Sequence, residues 1–393
     1  MLCGFCITLE YSVIKPICHS CFIAQYGAKA FPYAWLGILP LNFLLVNLYH
    51  RLVVKIGCLA TLMWTTGLSV AINGLGPILL ERSTLFPFFL YLWKDVYILL
   101  MFQQLWSVIH STDLGGKQRF WYGILFGVGG FGTVLGSLIP GYFAVEVGSL
   151  KLLYLAPPVA MIMTFFYSRL IATRSKMTGG NPDITFEKKE TKGGWGLLRS
   201  SRALKVILCL VIFMQVAATL FEYQFHTHLQ EVIPDRDMRT AYLGKLFSAI
   251  SSINLVFHFV VTNLIVRFWG LKKAHLMVPF VLVINSLGLL IFPSLRLVTL
   301  SYGTIKTFDY SFFAIIKEML YVPLGVAEKF KAKPIIDVFA YRGSKALASL
   351  LVFLVPFPLI GGLLLCLFVG WLIFTAVMIE IPKDEEYSEE YAR

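Results

Sequence analysis

The chain has 393 residues, 58% of them apolar and only 14% charged, with a mean hydropathy of +0.75. Globular chains carry about 45–50% apolar and roughly 25% charged residues, so a soluble two-domain enzyme is excluded. The formal charge of +12 does not point to nucleic acid either: most basic residues sit between apolar runs, where positive charge orients a membrane protein.

In chain order, the apolar runs predict spans near 6–28, 31–49, 56–80, 84–110, 120–145 and 150–171. The extended hydrophilic stretch follows, from 172 to 203, rich in glycine and basic residues and holding the run Glu187-Lys188-Lys189-Glu190. Six further spans are expected near 204–229, 241–267, 274–294, 298–321, 335–355 and 358–380. Twelve helices of about 21 residues would consume roughly 250 residues, which matches the apolar content. The expected fold is therefore all-α, a polytopic membrane protein with about twelve transmembrane helices in two six-helix bundles. Its parts are an N-terminal bundle at 1–171, a basic cytoplasmic linker at 172–203, a C-terminal bundle at 204–381 and an acidic tail at 382–393. Six spans, a linker and six spans is the pattern of major-facilitator-type carriers.

With the linker in the cytoplasm, loops on its side carry Arg51, Lys55, Lys117, Arg119, Arg267, Lys272, Lys273, Lys329, Lys331 and Lys333. The opposite loops carry Lys29, Arg82, Lys151, Arg236, Arg239 and Arg296. This asymmetry puts both termini in the cytoplasm. Met1–Leu9 is apolar but lacks a basic n-region and a small-residue cleavage site, so it does not read as a signal peptide.

Two motifs invite over-reading. Gly127-Val128-Gly129-Gly130-Phe131-Gly132 satisfies G-x-G-x-x-G, but no strand precedes it. The pairs Gly123/Gly127 and Gly132/Gly136 fit close helix packing instead. Cys3-x-x-Cys6 and Cys18-x-x-Cys21 have zinc-like spacing, yet Ile7–Ile17 between them is an apolar helical stretch, so core cysteines and no metal are expected. No catalytic constellation and no cofactor motif is present, and the chain reads as a non-enzyme.

Charges inside spans carry more. Each costs about 2.5–3.5 kcal/mol on insertion scales, so it faces a cavity or a partner. They are Lys15, Lys94, Asp95, Glu222, Lys245, Lys306, Asp309, Asp337, Arg342 and Lys345. Lys306 and Asp309 are three apart and share a helix face; Lys94 and Asp95 are adjacent and do not. Lys94 and Lys245 lie near span ends, where snorkelling explains them as well. Six basic against four acidic residues suit an anionic cargo, with Arg able to grip phosphate or carboxylate bidentately. Gln103, Gln104, Gln215, Asn254 and Asn285 could add hydrogen bonds or equally join helices. Glu222 and His226, with His258 on the next span, would also make a proton relay.

One block has a specific likeness. Lys317-Glu318-Met319-Leu320-Tyr321-Val322-Pro323-Leu324 is followed by Glu328-Lys329-Phe330-Lys331-Ala332-Lys333 and by Ile336-Asp337-Val338. In this order they resemble the non-mitochondrial ATP/ADP translocases, the nucleotide transporters of plastids and intracellular bacteria. Arg342 and Lys345 fall where that family has an Arg and a Lys. Leu220-Phe221-Glu222, Tyr242-Leu243-Gly244, Tyr11-Ser12-Val13-Ile14-Lys15 and Arg119-Phe120 resemble it more loosely. The chain departs from the family at Cys18, where a Lys is expected by spacing, near His110, where a Glu is expected, and at Gly343-Ser344, where Leu-Gly is expected.

The resemblance implies nucleotide exchange across a bacterial inner membrane by alternating access, with a small anionic nucleotide and the lipid bilayer as partners. Lys345, Arg342, Glu222, Lys15, Asp337 and Lys306 are the expected substrate-binding residues. A proton-coupled carrier of another organic anion and a transport-dead scaffold stand as the alternatives.

Overall fold

The computed structural model describes residues 1–110, 118–178, 194–324 and 332–378, and among them every regular element is a helix. The first half supplies α1 (Leu2–Tyr26), α2 (Phe31–Ile56), α3 (Cys58–Arg82), α4 (Phe86–His110), α5 (Gln118–Val147) and α6 (Ala156–Thr178). A short α7 (Gly194–Ser200) leads into α8 (Arg202–Val232) and α9 (Arg236–Val256). Thus α6 and α7 occupy part of the stretch expected as linker; residues 179–193 of that stretch and the acidic tail lie outside the described residues. α9 runs through a π-helical turn at Phe257–Val261 into α10 (Thr262–Ile291). Next come α11 (Leu295–Thr307), a π turn at Phe308–Phe312 and α12 (Phe313–Tyr321). The last passes are α13 (Lys333–Ile335), a π turn at Ile336–Ala340 and α14 (Tyr341–Leu354), then α15 (Ile360–Met378).

Two glycines set the count of passes. Gly57 is the single residue between α2 and α3, with φ 85° and ψ 165°. Gly270 takes nearly the same conformation, φ 76° and ψ 164°, inside α10. Positive φ costs glycine nothing and penalises other residues, so the helix axis breaks at 270. Residues 236–269 and 271–291 are then separate passes, and the described residues make twelve. The same one-glycine joint, flanked by basic residues, therefore follows the second pass of each half.

Eight helical stretches are long and apolar enough to cross a membrane by length and composition. The other four passes are α1, α4, α11 with α12, and α13 with α14. They hold every span charge expected from the sequence except Glu222 and Lys245. Charge lowers their hydropathy, and π turns break two of them. Large apolar side chains such as Phe43, Trp64, Phe268 and Leu354 stand exposed, as lipid contact requires of a polytopic protein.

The described chain forms two compact units, residues 1–190 with 225–255, and residues 191–224 with 256–393. They are not the two sequence halves, because the end of α8 and all but the last residue of α9 belong with the first unit. Small residues explain this. A Cβ on Gly244 of α9 would collide with the backbone of Gly141 on α5. The Ser149 backbone N–H donates to Asp237 Oδ1 at 3.1 Å, and the Ala28 N–H donates to Gln230 Oε1 at 2.6 Å. α5 lies equally close to α1: a Cβ on Gly132 would sit 2.6 Å from the Phe5 carbonyl, and the Thr8 hydroxyl donates to the Gly129 carbonyl at 2.7 Å. Gly132 and Gly136 thus form a packing face, as their spacing predicts. The four N-terminal cysteines all lie buried on the one helix α1.

Candidate functional site

In the second unit, α8 presents Gln215 and Glu222, and α11 with its π turn presents Lys306 and Asp309. Lys306 Nζ donates to Glu222 Oε2 at 2.9 Å, with the two residues 9% and 5% exposed. The rings of Tyr302 and Tyr310 lie 5.6 and 5.7 Å from the same ammonium. Asp309 Oδ1 accepts from Gln215 Nε2 at 2.6 Å and from the Tyr341 hydroxyl at 2.6 Å. The sequence puts Lys306 and Asp309 on one face as a local pair. The structure instead sends each to another helix. A pair three apart on one helix gains only about 0.2–0.5 kcal/mol, whereas a buried charge needs a close partner and further hydrogen bonds, and α8 supplies both.

Asp337 lies in the π turn before α14 and accepts from Lys317 Nζ at 2.8 Å, so the Lys317-Glu318 motif and the Ile336-Asp337 motif meet. Lys317 also lies 3.6 Å from Glu318. Arg342 and Lys345 are half-buried and one turn apart on α14, and Ser349 Oγ donates to the Lys345 carbonyl at 2.9 Å. Five of the six expected binding residues, Glu222, Lys306, Asp337, Arg342 and Lys345, thus belong to this unit. The sixth, Lys15, belongs to the first unit, where its ammonium lies 4.4 Å from the ring centroid of Phe247.

The first unit corrects several sequence expectations. Lys94 and Asp95 do form a pair, Nζ to Oδ1 at 2.7 Å, because a flexible lysine can curl back to its neighbour even when the two Cβ atoms diverge. Lys94 is 3% exposed and lies 4.0 Å from the Tyr91 ring centroid, so it does not snorkel. Tyr11 donates to Asp95 at 3.2 Å. Lys245, in contrast, is exposed. Arg239, expected in a loop, is 2% exposed in the first turn of α9 and donates to the Pro234 carbonyl at 2.7 Å. The His226 ring lies against that of His19, with 3.1 Å between ring nitrogens. Glu10 escaped the sequence reading, although one acid inside span 6–28 was signal enough; it is fully buried and accepts from Tyr97 at 3.1 Å. Cys18, standing where a lysine is expected by resemblance, is a buried core residue of α1. The side chain of His110 and residues 325–331, with most of the Lys-rich stretch, lie outside the described residues.

Comparison with known proteins adds to this geometry. No family model matches the chain. The plastidic ATP/ADP-transporter of Solanum tuberosum is 26% identical over 440 residues, covering 98% of this chain and 64% of the relative. The ADP,ATP carrier protein 3 of Rickettsia felis is 23% identical over 348 residues, covering 76% of this chain and 69% of the relative. The ADP,ATP carrier protein 1 of Rickettsia bellii is 22% identical, covering 76% and 67%. The chain thus spans about two thirds of the length of these relatives. Among solved structures, the nucleoside transporter NupG superposes with a TM-score of 0.62 at 11% identity, covering 96% of this chain and 100% of the other. The inward-open xylose transporter XylE from E. coli gives 0.63 at 13% identity, covering 100% and 97%. The fold is therefore shared with these two transporters, and the sequence is similar, at 22–26% identity, to ATP/ADP carriers.

Proposed function

We propose that this chain, a divergent relative of the plastid and rickettsial ATP/ADP carriers, is a membrane carrier that exchanges nucleotides by alternating access. One observation carries the reading most. The block at 317–345 that most resembles the nucleotide transporters also builds the buried polar network of the second unit, through Lys317, Asp337 and Tyr341.

In this proposal Arg342 and Lys345 take the phosphates, Arg342 bidentately and Lys345 as a point charge. The Lys306–Glu222 pair is the selectivity element. An anion reaching Lys306 competes with Glu222 for the same ammonium, and a neutral solute gains nothing by doing so. Glu222, once displaced, is free to accept from a ribose hydroxyl or a base amine. Lys317–Asp337 holds the start of α14 and so positions Arg342 and Lys345. Lys15 adds a cation from α1. The loop-charge asymmetry supports cytoplasmic termini, and the rickettsial relatives support a bacterial inner membrane.

A carrier for another organic anion is the second reading. It is favoured by the apolar burial of Cys18, which leaves that position without a cation. A panel of ligands tested for thermal stabilisation of the purified protein separates the readings. Nucleoside di- and triphosphates are expected to raise Tm, with the effect lost in Lys345→Ala. Stabilisation by a non-nucleotide anion alone would select the second reading, and none across the panel would select a transport-dead scaffold.

A further inference from the structure

Glu10 lies on α1, inside the first unit, and is 0% exposed. One carboxyl oxygen, Oε2, accepts from the Tyr97 hydroxyl of α4 at 3.1 Å. The other, Oε1, is buried and has no hydrogen-bond partner among the described residues. The titratable groups facing the carboxyl are Tyr97 and, one turn earlier on α1, Cys6. From α3 the facing groups are the uncharged Thr66 and Ser69, around the Tyr97 hydroxyl. The neighbouring ammonium of α4, Lys94, is bound to Asp95. Among the described residues no lysine, arginine or histidine from α3, α4, α5 or α6 reaches the Glu10 carboxyl. It differs in this from Glu222, which has Lys306, and from Asp337, which has Lys317.

A carboxylate within a membrane needs a compensating charge. Glu10 has one hydroxyl donor and no cation, and a proton is the one cation that needs no cavity. We propose that Glu10 is a proton-binding site, and that transport by this chain is accompanied by movement of that proton. In the conformation seen here, Oε1 carries the hydrogen and Oε2 keeps the Tyr97 bond. The proton comes from water on the side to which Glu10 opens and returns to water when it opens to the other, with no bond other than O–H made or broken. Tyr97, Thr66, Ser69 and Asn73 are buried beside one another on α4 and α3, with Asn73 Nδ2 donating to Ser69 Oγ at 3.1 Å. Thr66 and Ser69 line the Tyr97 hydroxyl that binds the carboxyl and add no charge. Glu10 is also adjacent to Tyr11, whose hydroxyl holds Asp95, so a shift of α1 against α4 disturbs both contacts together. The proton site stands apart from the nucleotide reading; only its coupling to cargo rests on it.

Two measurements test it on the full chain in liposomes. Infrared difference spectroscopy without cargo is expected to show a carboxylic-acid carbonyl band that is lost in Glu10→Gln and displaced in Tyr97→Phe, where one hydrogen bond disappears. If Glu10→Gln fails to fold, the displacement in Tyr97→Phe assigns the band on its own. A spectrum unchanged by both substitutions, or a band removed by sodium at constant pH, would overturn the proton site. Labelled ATP uptake is then measured with and without a pH gradient. A several-fold dependence on the gradient, abolished in Glu10→Gln, is expected. Uptake with the same gradient dependence in Glu10→Gln, or with none in the wild type, overturns the coupling. Absence of any nucleotide uptake overturns the proposed cargo, and the infrared result then decides the proton site alone.

Discussion

The two units handle buried polarity in opposite ways. The second neutralises charge with charge across helices, in Lys306–Glu222 and Lys317–Asp337, and satisfies Asp309 with two donors. The first relies on backbone approach and neutral contacts: Gly132 and Gly136 against α1, Gly141 against Gly244, and Glu10 with only a hydroxyl. Its ion pair Lys94–Asp95 joins sequence neighbours rather than two helices. The contrast assigns work. Paired charges can be opened by an arriving anion, while glycine-on-glycine contacts admit nothing and hold helices in register.

Removing one member of the buried pair is the strongest way to break this contrast. Lys306→Met leaves Glu222 buried and uncompensated, and is expected to cost about 3–5 kcal/mol. The double variant Lys306→Met with Glu222→Gln should recover most of that loss. Thermal unfolding in detergent reads both, and additive losses would show that the pair is not coupled.

In the first unit the corresponding lesion is steric. Gly244→Val forces a side chain into the Gly141 backbone and is expected to cost about 1–3 kcal/mol, again read as Tm. A smaller effect separates the two acids. Glu10→Gln keeps an acceptor for Tyr97 and removes no ion pair, so its stability change should stay within about 1 kcal/mol. A loss in Glu10→Gln as large as that of Lys306→Met would erase the distinction between the units. The smallest effect is expected at exposed Lys245, where Lys245→Met should shift stability by less than about 0.5 kcal/mol.

Helices and passes were legible because apolar runs of membrane length have few other uses, and α1 to α6 lie close to their predicted spans. The glycine face of α5 was legible for the same kind of reason, since small residues four apart on an apolar helix have one common role. Partners were less so. Spacing arguments assume an ideal helix, and π turns at Phe257–Val261, Phe308–Phe312 and Ile336–Ala340 break that assumption beside Asp309 and Asp337. Nothing in the local sequence marks those turns. Arg239 was misplaced because α9 begins at Arg236, five residues before the apolar run that predicted it. The Lys306–Glu222 pair spans 84 residues of chain, and a single sequence holds no signal for a contact at that separation.

Exchange of one nucleotide for another is the property to measure. Labelled ATP should enter liposomes holding this protein when they are preloaded with ADP and should barely enter buffer-filled ones, with the difference abolished in Lys345→Ala. Uptake indifferent to internal nucleotide and unaffected by Lys345→Ala would contradict it.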